Sequence, residues 1–425
     1  MGLTYPIVER SPALPRPSAP RNIAVFIDGT WNEAHPRRPT NVRKLFEAMR
    51  GAGSDAAPPA RDQFALYLSG VGTKPRVNAR GAAVMDEAAA LDVHLRNEMP
   101  ASWSRFHKWA AGGAAGKGTR ARIKAAYDFL CRYFDRARGD QVFIFGFSRG
   151  AFAARSLAGF VGHVGLLLKS HPDDVALAWT LYEKSRDAAQ AELGRFMQRL
   201  TGRARANAEG DVLPVHFLGV WDTVASLGMP SRLAWFGAPF TEYRQLDVPP
   251  TVMTARHALA LHELRPDFEP LLWCAGDHPD VKQVWFAGAH SDVGGGQELG
   301  EDALSDTALR WMASEAKDLE LDDHRPWRTQ WEIAPRLHNA VRGIHLLGGA
   351  HPRRWLADRT YENAWQSHHV HRSAAEHLLR VRHEDYSFRL PQINRALRMA
   401  DDLAVQMLVY LRLNGQEIED DQRWQ

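Results

Sequence analysis

The chain has 425 residues, enough to bury a large core in one big domain or two ordinary ones. Hydrophobic residues at 45% and charged residues at 24% are ordinary for a globular protein and exclude disordered, collagen-like and coiled-coil readings. The 53 basic and 50 acidic residues leave a net charge of +3. That balance argues against a nucleic-acid partner, which needs a concentrated basic stripe, and the densest basic stretch, Arg120, Arg122 and Lys124, reads as a solvated helix face.

Residues 1–21 contain five prolines and lack the apolar stretch of a signal peptide, so they read as a flexible Pro-rich N-terminus. No run approaches the roughly 18 apolar residues of a transmembrane helix. Of the two cysteines, Cys131 falls in an apolar helical pattern and reads as a buried thiol, and Cys274 stands apart. They suggest neither a disulfide framework nor a Cys-X-X-Cys metal site, which fits the reducing cytoplasm of the producing cell.

Five short apolar runs read as buried strands: 23–27, 64–68, 142–145, 215–220 and 284–287. Strands apolar on both sides indicate a parallel sheet covered on both faces. Helical patterns fall at 41–49 (with Thr40 as cap), 120–138, 151–168 and 303–316. The expectation is therefore an α/β fold in residues 22–425: one domain, a mostly parallel central sheet with helices on both faces, and sites at the carboxyl ends of the strands. Stretches 76–118, 172–211 and 229–279 read as insertions that form a lid, a substrate wall or extra packing. The part from about 318 reads as helical and ends in a helix near 401–413.

Between strand 142–145 and helix 151–168, Gly146-Phe147-Ser148-Arg149-Gly150 fits G-x-S-x-G. A buried strand leads in and an amphipathic helix leads out, the context of a nucleophile elbow. The turn is too tight for side chains at Gly146 and Gly150. It would hold Ser148 strained and exposed at the top of the sheet, with the free N–H groups of the new helix aimed at a developing negative charge. The N–H of Arg149 is then the natural first oxyanion donor.

A serine hydroxyl needs a base, usually His, and a carboxylate to orient it. Asp222 ends the fourth run, and His290 follows the fifth, just before Ser-Asp-Val-Gly-Gly-Gly. The order Ser148, Asp222, His290 is the one this kind of fold uses. Asp292 is a rival acid, two residues from His290 and better placed to brace that loop. His368, His369 and His371 are a weaker rival set for the base, and they do not by themselves indicate a metal.

The first strand ends in Asp28-Gly29-Thr30-Trp31-Asn32. Its likeness to the Asp-x-Asp-Gly-Thr of aspartate-nucleophile phosphatases fails because residue 26 is Phe. In a serine hydrolase a neighbouring loop supplies the second oxyanion N–H, here from Gly29 or Thr30, with Asp28 holding the loop.

Taken together, FIDGTWN (26–32), YLSGVGT (67–73), GFSRGAFAAR (146–155), GVWDTVASLG (219–228), GAHSDVGGG (288–296) and VHRS (370–373) resemble a known family. It is the bacterial and fungal α/β-hydrolase family that includes the type VI secretion phospholipase effectors of the first lipase class. The resemblance spans about residues 22–375. It implies an α/β-hydrolase fold, a triad of Ser148, Asp222 and His290, no cofactor or metal, and cleavage of carboxylic esters, glycerophospholipid acyl esters among them, at a membrane surface. It also implies export by a contractile secretion machine and an immunity or secretion partner. Two other readings stay open: an esterase or thioesterase of small soluble substrates, and a silent binding protein that has kept the fold.

Overall fold

A computed structural model of the chain describes residues 19–29, 38–49, 61–70, 76–77, 83–84, 113–167, 172–183, 215–224, 247–274, 278–322, 337–341, 349–353, 367–380, 386, 388, 390–413 and 418–419. Seven strands form one sheet: β1 (Arg21–Ile27), β2 (Asp62–Leu68), β3 (Gln141–Phe147), β4 (Val215–Trp221), β5 (Val252–Ala260), β6 (Val281–Phe286) and β7 (His368–Val370). Their order is β2-β1-β3-β4-β5-β6-β7, and every pairing is parallel. The fold is α/β, as the apolar runs predict, and α/β-hydrolase-like, as the resemblance implies.

Helices cover both faces because the strands are apolar on both. Along β1, Ile23, Val25 and Ile27 join one buried cluster while Ala24 and Phe26 join another, the period of two that a pleated strand imposes. The first cluster is completed by α2 (Gly113–Tyr133), α3 (Arg149–Val164) and α4 (Pro172–Glu183). The second is completed by α1 (Asn41–Ala48) and, after the short α5 (His290–Gly294), by α6 (Ala303–Glu315). Thr40 caps α1 as expected, accepting the Arg43 N–H at 3.1 Å. At the far edge, α7 (Arg372–Arg380) and α8 (Pro391–Leu413) pack on β6 and β7. None of the helices among the described residues is long and apolar enough to cross a membrane.

Two expectations change and one narrows. Residues 252–260, read as part of an insertion, are the interior strand β5. Arg256 and His257 interrupt its apolar run and hid it, yet both are buried, Arg256 against Glu315 and Asp280. Of the readings offered for 172–211, its described start takes the extra-packing one and not the lid: Ala178, Trp179 and Leu181 of α4 are buried on α2 and α3. The basic stretch is not a solvated face. Arg122 is buried and donates to the carbonyls of Ser69 (2.6 Å) and Gly70 (3.0 Å), holding the loop after β2. Cys131 is buried as expected. Residues 85–112, 184–214 and 225–246, where most of the lid or wall reading falls, lie outside the described residues.

The sheet centre is aromatic. Phe26 and Phe145 stack across β1 and β3 with centroids 5.1 Å apart, both fully buried. Truncating one removes its transfer free energy and leaves a cavity. Phe145→Ala should lower unfolding stability by about 3–5 kcal/mol, read as a drop in urea midpoint at unchanged slope. A change under about 1 kcal/mol would mean that this layer of the core collapses freely.

Candidate active site

The chain runs from β2 across β1 to β3, so the connections diverge between β1 and β3. That is the point where a doubly wound sheet opens a crevice at its carboxyl edge. The Asp28 loop follows β1, and Ser148 follows β3.

Steric fit forces the turn at Ser148. A Cβ on Gly146 would lie 2.4 Å from the Gly150 carbonyl oxygen, and one on Gly150 only 2.1 Å from that of Ile27. Helix α3 therefore sits directly against the end of β1, as the elbow reading requires. Ser148 takes φ 57°, a left-handed value that a non-glycine residue adopts only under constraint. Its N–H donates to the Trp221 carbonyl at 3.0 Å, which extends the β3–β4 ladder and sets Ser148 beside Asp222. The first N–H groups of α3, those of Arg149 and Gly150, have no partner within the helix. Burial lowers the Arg149 guanidinium to about 10.

Asp222 is fully buried at φ 39°, the second non-glycine residue with positive φ among the described residues. Its Oδ2 lies 2.6 Å from Nδ1 of His290, which is itself 5% exposed. A proton shared on that side leaves Nε2 as the acceptor. His290 follows β6, three strands from β3, yet its loop returns to the crevice. Its ring packs on Phe147 at 4.6 Å and against the edge of Phe268 at 5.0 Å. Asp222 and His290 thus meet beside Ser148, although among the described residues no hydrogen bond joins the Ser148 hydroxyl to the imidazole.

Asp292 turns away from the imidazole. It accepts the Ala289 N–H at 2.9 Å and pairs with Nδ1 of His338 at 2.6 Å, bracing the His290 loop. Gly295 and Thr40 form a bridge, and the Gly296 N–H donates to the Pro39 carbonyl at 3.1 Å, so the loops after β6 and β1 are zipped together. Asp28 accepts from the Thr40 hydroxyl and the Tyr67 hydroxyl, each at 2.6 Å, and from the Gly29 N–H at 2.7 Å. These bonds tie the described start of the loop, and one of them engages the very N–H offered as a second oxyanion donor. Thr30 lies outside the described residues.

Sequence reasoning missed the rest of the charged shell. Arg353, 2% exposed, donates Nη1 to Asp222 Oδ1 and Nη2 to Asp222 Oδ2, both at 2.7 Å. Burial pushes the Asp222 carboxyl up, but the Arg353 guanidinium and the His290 bond outweigh it and hold the group well below the usual carboxylate range. Buried Glu263 accepts the backbone N–H of His290 at 3.1 Å and pairs with Arg265. Burial raises its carboxyl too, yet Arg265, Arg353 and His290 bring it below its ordinary value. Arg353 stands in His-Pro-Arg-Arg-Trp (351–355), where no periodicity or spacing marks it.

The rival histidines lie far along the sheet from Ser148. β7 lies four strands from β3, about 19 Å at the usual ~4.8 Å spacing. There His368 accepts from the Trp285 indole at 3.0 Å, and His371 stacks on Phe286. Among the described residues, His262, His377 and Asp401 come close enough to hold a metal ion. The geometry argues otherwise. His262 Nδ1 accepts the Gly288 N–H at 2.8 Å, so the ring proton sits on Nε2, facing Asp401 at 2.9 Å, and leaves no lone pair there for a metal.

The sheet order, the tight turn at Ser148 and the loops gathered over it define an α/β-hydrolase-like protein. The chain belongs to the type VI secretion system phospholipase effector family, Tle1-like, whose catalytic-domain model matches residues 21–315. Among curated proteins, the uncharacterised YEL023C of Saccharomyces cerevisiae is 30% identical over 257 residues, covering 60% of this chain and 33% of its own. Among solved structures, an uncharacterised protein of Pseudomonas aeruginosa is 20% identical at TM-score 0.35, with 74% of this chain and 48% of that one covered. The Tle1 effector bound to the VgrG spike of the type 6 secretion system is 19% identical at TM-score 0.34, with 67% and 52% covered. The chain therefore spans a third of the yeast relative and about half of each solved chain.

Burial lowers the His368 ring to about 3, with His369 adding to the shift. Because the folded value lies below the unfolded ~6.5, the unfolded chain binds the extra proton, and stability falls as pH drops from about 6.5 toward 3. His368→Gln should remove up to about 1.4 kcal/mol per pH unit of that slope in urea unfolding between pH 6 and 4.5. Identical slopes would show that the buried ring does not titrate this way.

Proposed function

We propose that this chain is a serine hydrolase of carboxylic esters, with acyl esters of phospholipids as its substrate class. The observation that carries the reading is the 2.6 Å contact of His290 with buried Asp222, beside a serine held at φ 57° by a turn that tolerates only glycine on either side.

In the proposed reaction His290 Nε2 takes the proton of the Ser148 hydroxyl as the oxygen attacks the ester carbonyl. The tetrahedral oxyanion accepts from the Arg149 N–H at the start of α3 and from a second donor on the Gly29–Thr30 loop. For Gly29 to serve, its N–H must leave Asp28. Losing one such donor typically costs about 10²–10³ in rate. Asp222 fixes the imidazole tautomer and stabilises the imidazolium. The alcohol, a lysolipid for a phospholipid substrate, leaves with the proton from His290. Water activated by the same ring then frees the acid from the acyl-serine. No step calls on a metal or an organic cofactor. The serine–imidazole bond need not be closed before substrate arrives, since such bonds commonly tighten only in the substrate complex.

Family membership favours a lipid over a small soluble ester, and with it passage from the cytoplasm of the producing cell on a contractile secretion machine. The Tle1 structure bound to the VgrG spike makes a spike protein the natural partner. An immunity protein in the producing cell would follow from such a role.

Ser148→Ala should lower ester turnover by about 10⁴–10⁶ and abolish labelling by a fluorophosphonate, with the circular dichroism spectrum unchanged. Undiminished turnover by the purified variant would refute the assignment. Faster turnover of micellar phospholipid than of a short-chain nitrophenyl ester is expected, and the reverse order would favour the small-ester reading.

A further inference from the structure

Asp222 does not face His290 alone. Its two carboxylate oxygens are both taken by Arg353, which also donates Nη1 to the Ala260 carbonyl at 2.8 Å and Nη2 to that of Phe268 at 2.9 Å. The guanidinium thus joins the acid, the end of β5 and the turn that lays Phe268 against the imidazole. Residue 353 lies beyond the 21–315 region that the family model matches.

We propose that Arg353 is a positioning residue for the reaction: by pairing both oxygens of Asp222 it tunes the proton affinity of His290 and so sets the lower pH limit of catalysis. The proposal rests on Ser148, His290 and Asp222 acting as written above.

The argument is one of charge. Among the described residues, the ionised groups around the imidazole are Asp222 after β4, Glu263 and Arg265 after β5, and Arg353, and burial keeps the nearby His257 ring neutral beside Asp222 and Arg353. Glu269 faces Arg353, and on the His290 loop Asp292 is paired with His338. Asp222 and Glu263, the described acids that act directly on the imidazole, are matched by Arg353 and Arg265, so this pairing leaves no net charge on an unprotonated ring's nearest described neighbours. A base must be unprotonated to accept the serine proton. Without Arg353 those neighbours carry one uncompensated negative charge, 2.6 Å from Nδ1. An unmatched carboxylate at that range favours the imidazolium by about 1–3 pH units. The base would then stay occupied at pH values where the native site works. Bidentate pairing also keeps Asp222 in its positive-φ turn, so one cation serves both charge and orientation.

The test is the pH profile of kcat/KM with a short-chain nitrophenyl ester for wild type, Arg353→Met and Arg353→Lys. In Arg353→Met the acid limb should move up by at least about one pH unit, so that the loss at pH 6 exceeds the loss at pH 9 by about tenfold or more. Arg353→Lys keeps the charge and gives up the fork, so its limb should stay near wild type while kcat falls. Equal losses of Arg353→Met at every pH would reduce Arg353 to a structural tie and overturn the proposal, as would full activity. If Arg353→Met does not fold, Arg353→Lys decides: a wild-type limb with reduced kcat supports the proposal, and a limb displaced as far as one pH unit overturns it. Fluorophosphonate labelling of Ser148 in wild type separates the two readings. No label in wild type means the catalytic assignment itself fails. A labelled enzyme with an unmoved profile defeats only the role of Arg353.

Discussion

A carboxylate with no exposed surface has to be matched, and the way Asp222 is matched organises this protein. Removing an ion from water carries a penalty of several kcal/mol, recovered only where partners and hydrogen bonds are well placed. Asp222 finds His290, the Ala260 N–H and the two arms of Arg353. Those partners come from β5, the loop after β6 and the segment at 349–353. Burying one charge thereby fixes the relative positions of three parts of the chain that are remote in sequence.

The same economy holds on the other side of the crevice. Asp28 is buried and gathers Thr40, Tyr67 and the Gly29 N–H. Thr40 in turn caps α1 and bridges to Gly295 behind the His290 loop. Two buried carboxylates, one after β1 and one after β4, thus flank Ser148 and hold the loops that enclose it. Lys44 of α1, buried between Asp302 at 2.8 Å and Asp306 at 2.5 Å, ties the same face to α6. Among the described residues, the start of the loop after β1 and the loop after β6 are each tied by a buried carboxylate that cannot be left unpaired.

Much of this was legible in the residues. The runs at 23–27 and 142–145 read as strands because both of their faces are apolar. The turn at Ser148 read as an elbow because Gly146-Phe147-Ser148-Arg149-Gly150 stands between a buried strand and an amphipathic helix. β5 was hidden by Arg256 and His257, polar side chains that a strand interior accepts only when Glu315, Asp280 and the Thr223 N–H meet them. Arg122 read as solvated for the converse reason, since its carbonyl partners at Ser69 and Gly70 lie 53 and 52 residues away.

The division follows the range of the forces. Burial pattern and backbone sterics act over a few residues, so the sequence by itself determined the α/β layering, the tight turn and the candidacy of Ser148, Asp222 and His290. Electrostatic matching acts between whatever the fold brings within a few ångströms. Only the tertiary structure could decide that Arg353 clamps Asp222, that Glu263 holds the His290 backbone, and that Asp28 engages the Gly29 N–H. No local pattern encodes a partner 131 residues away.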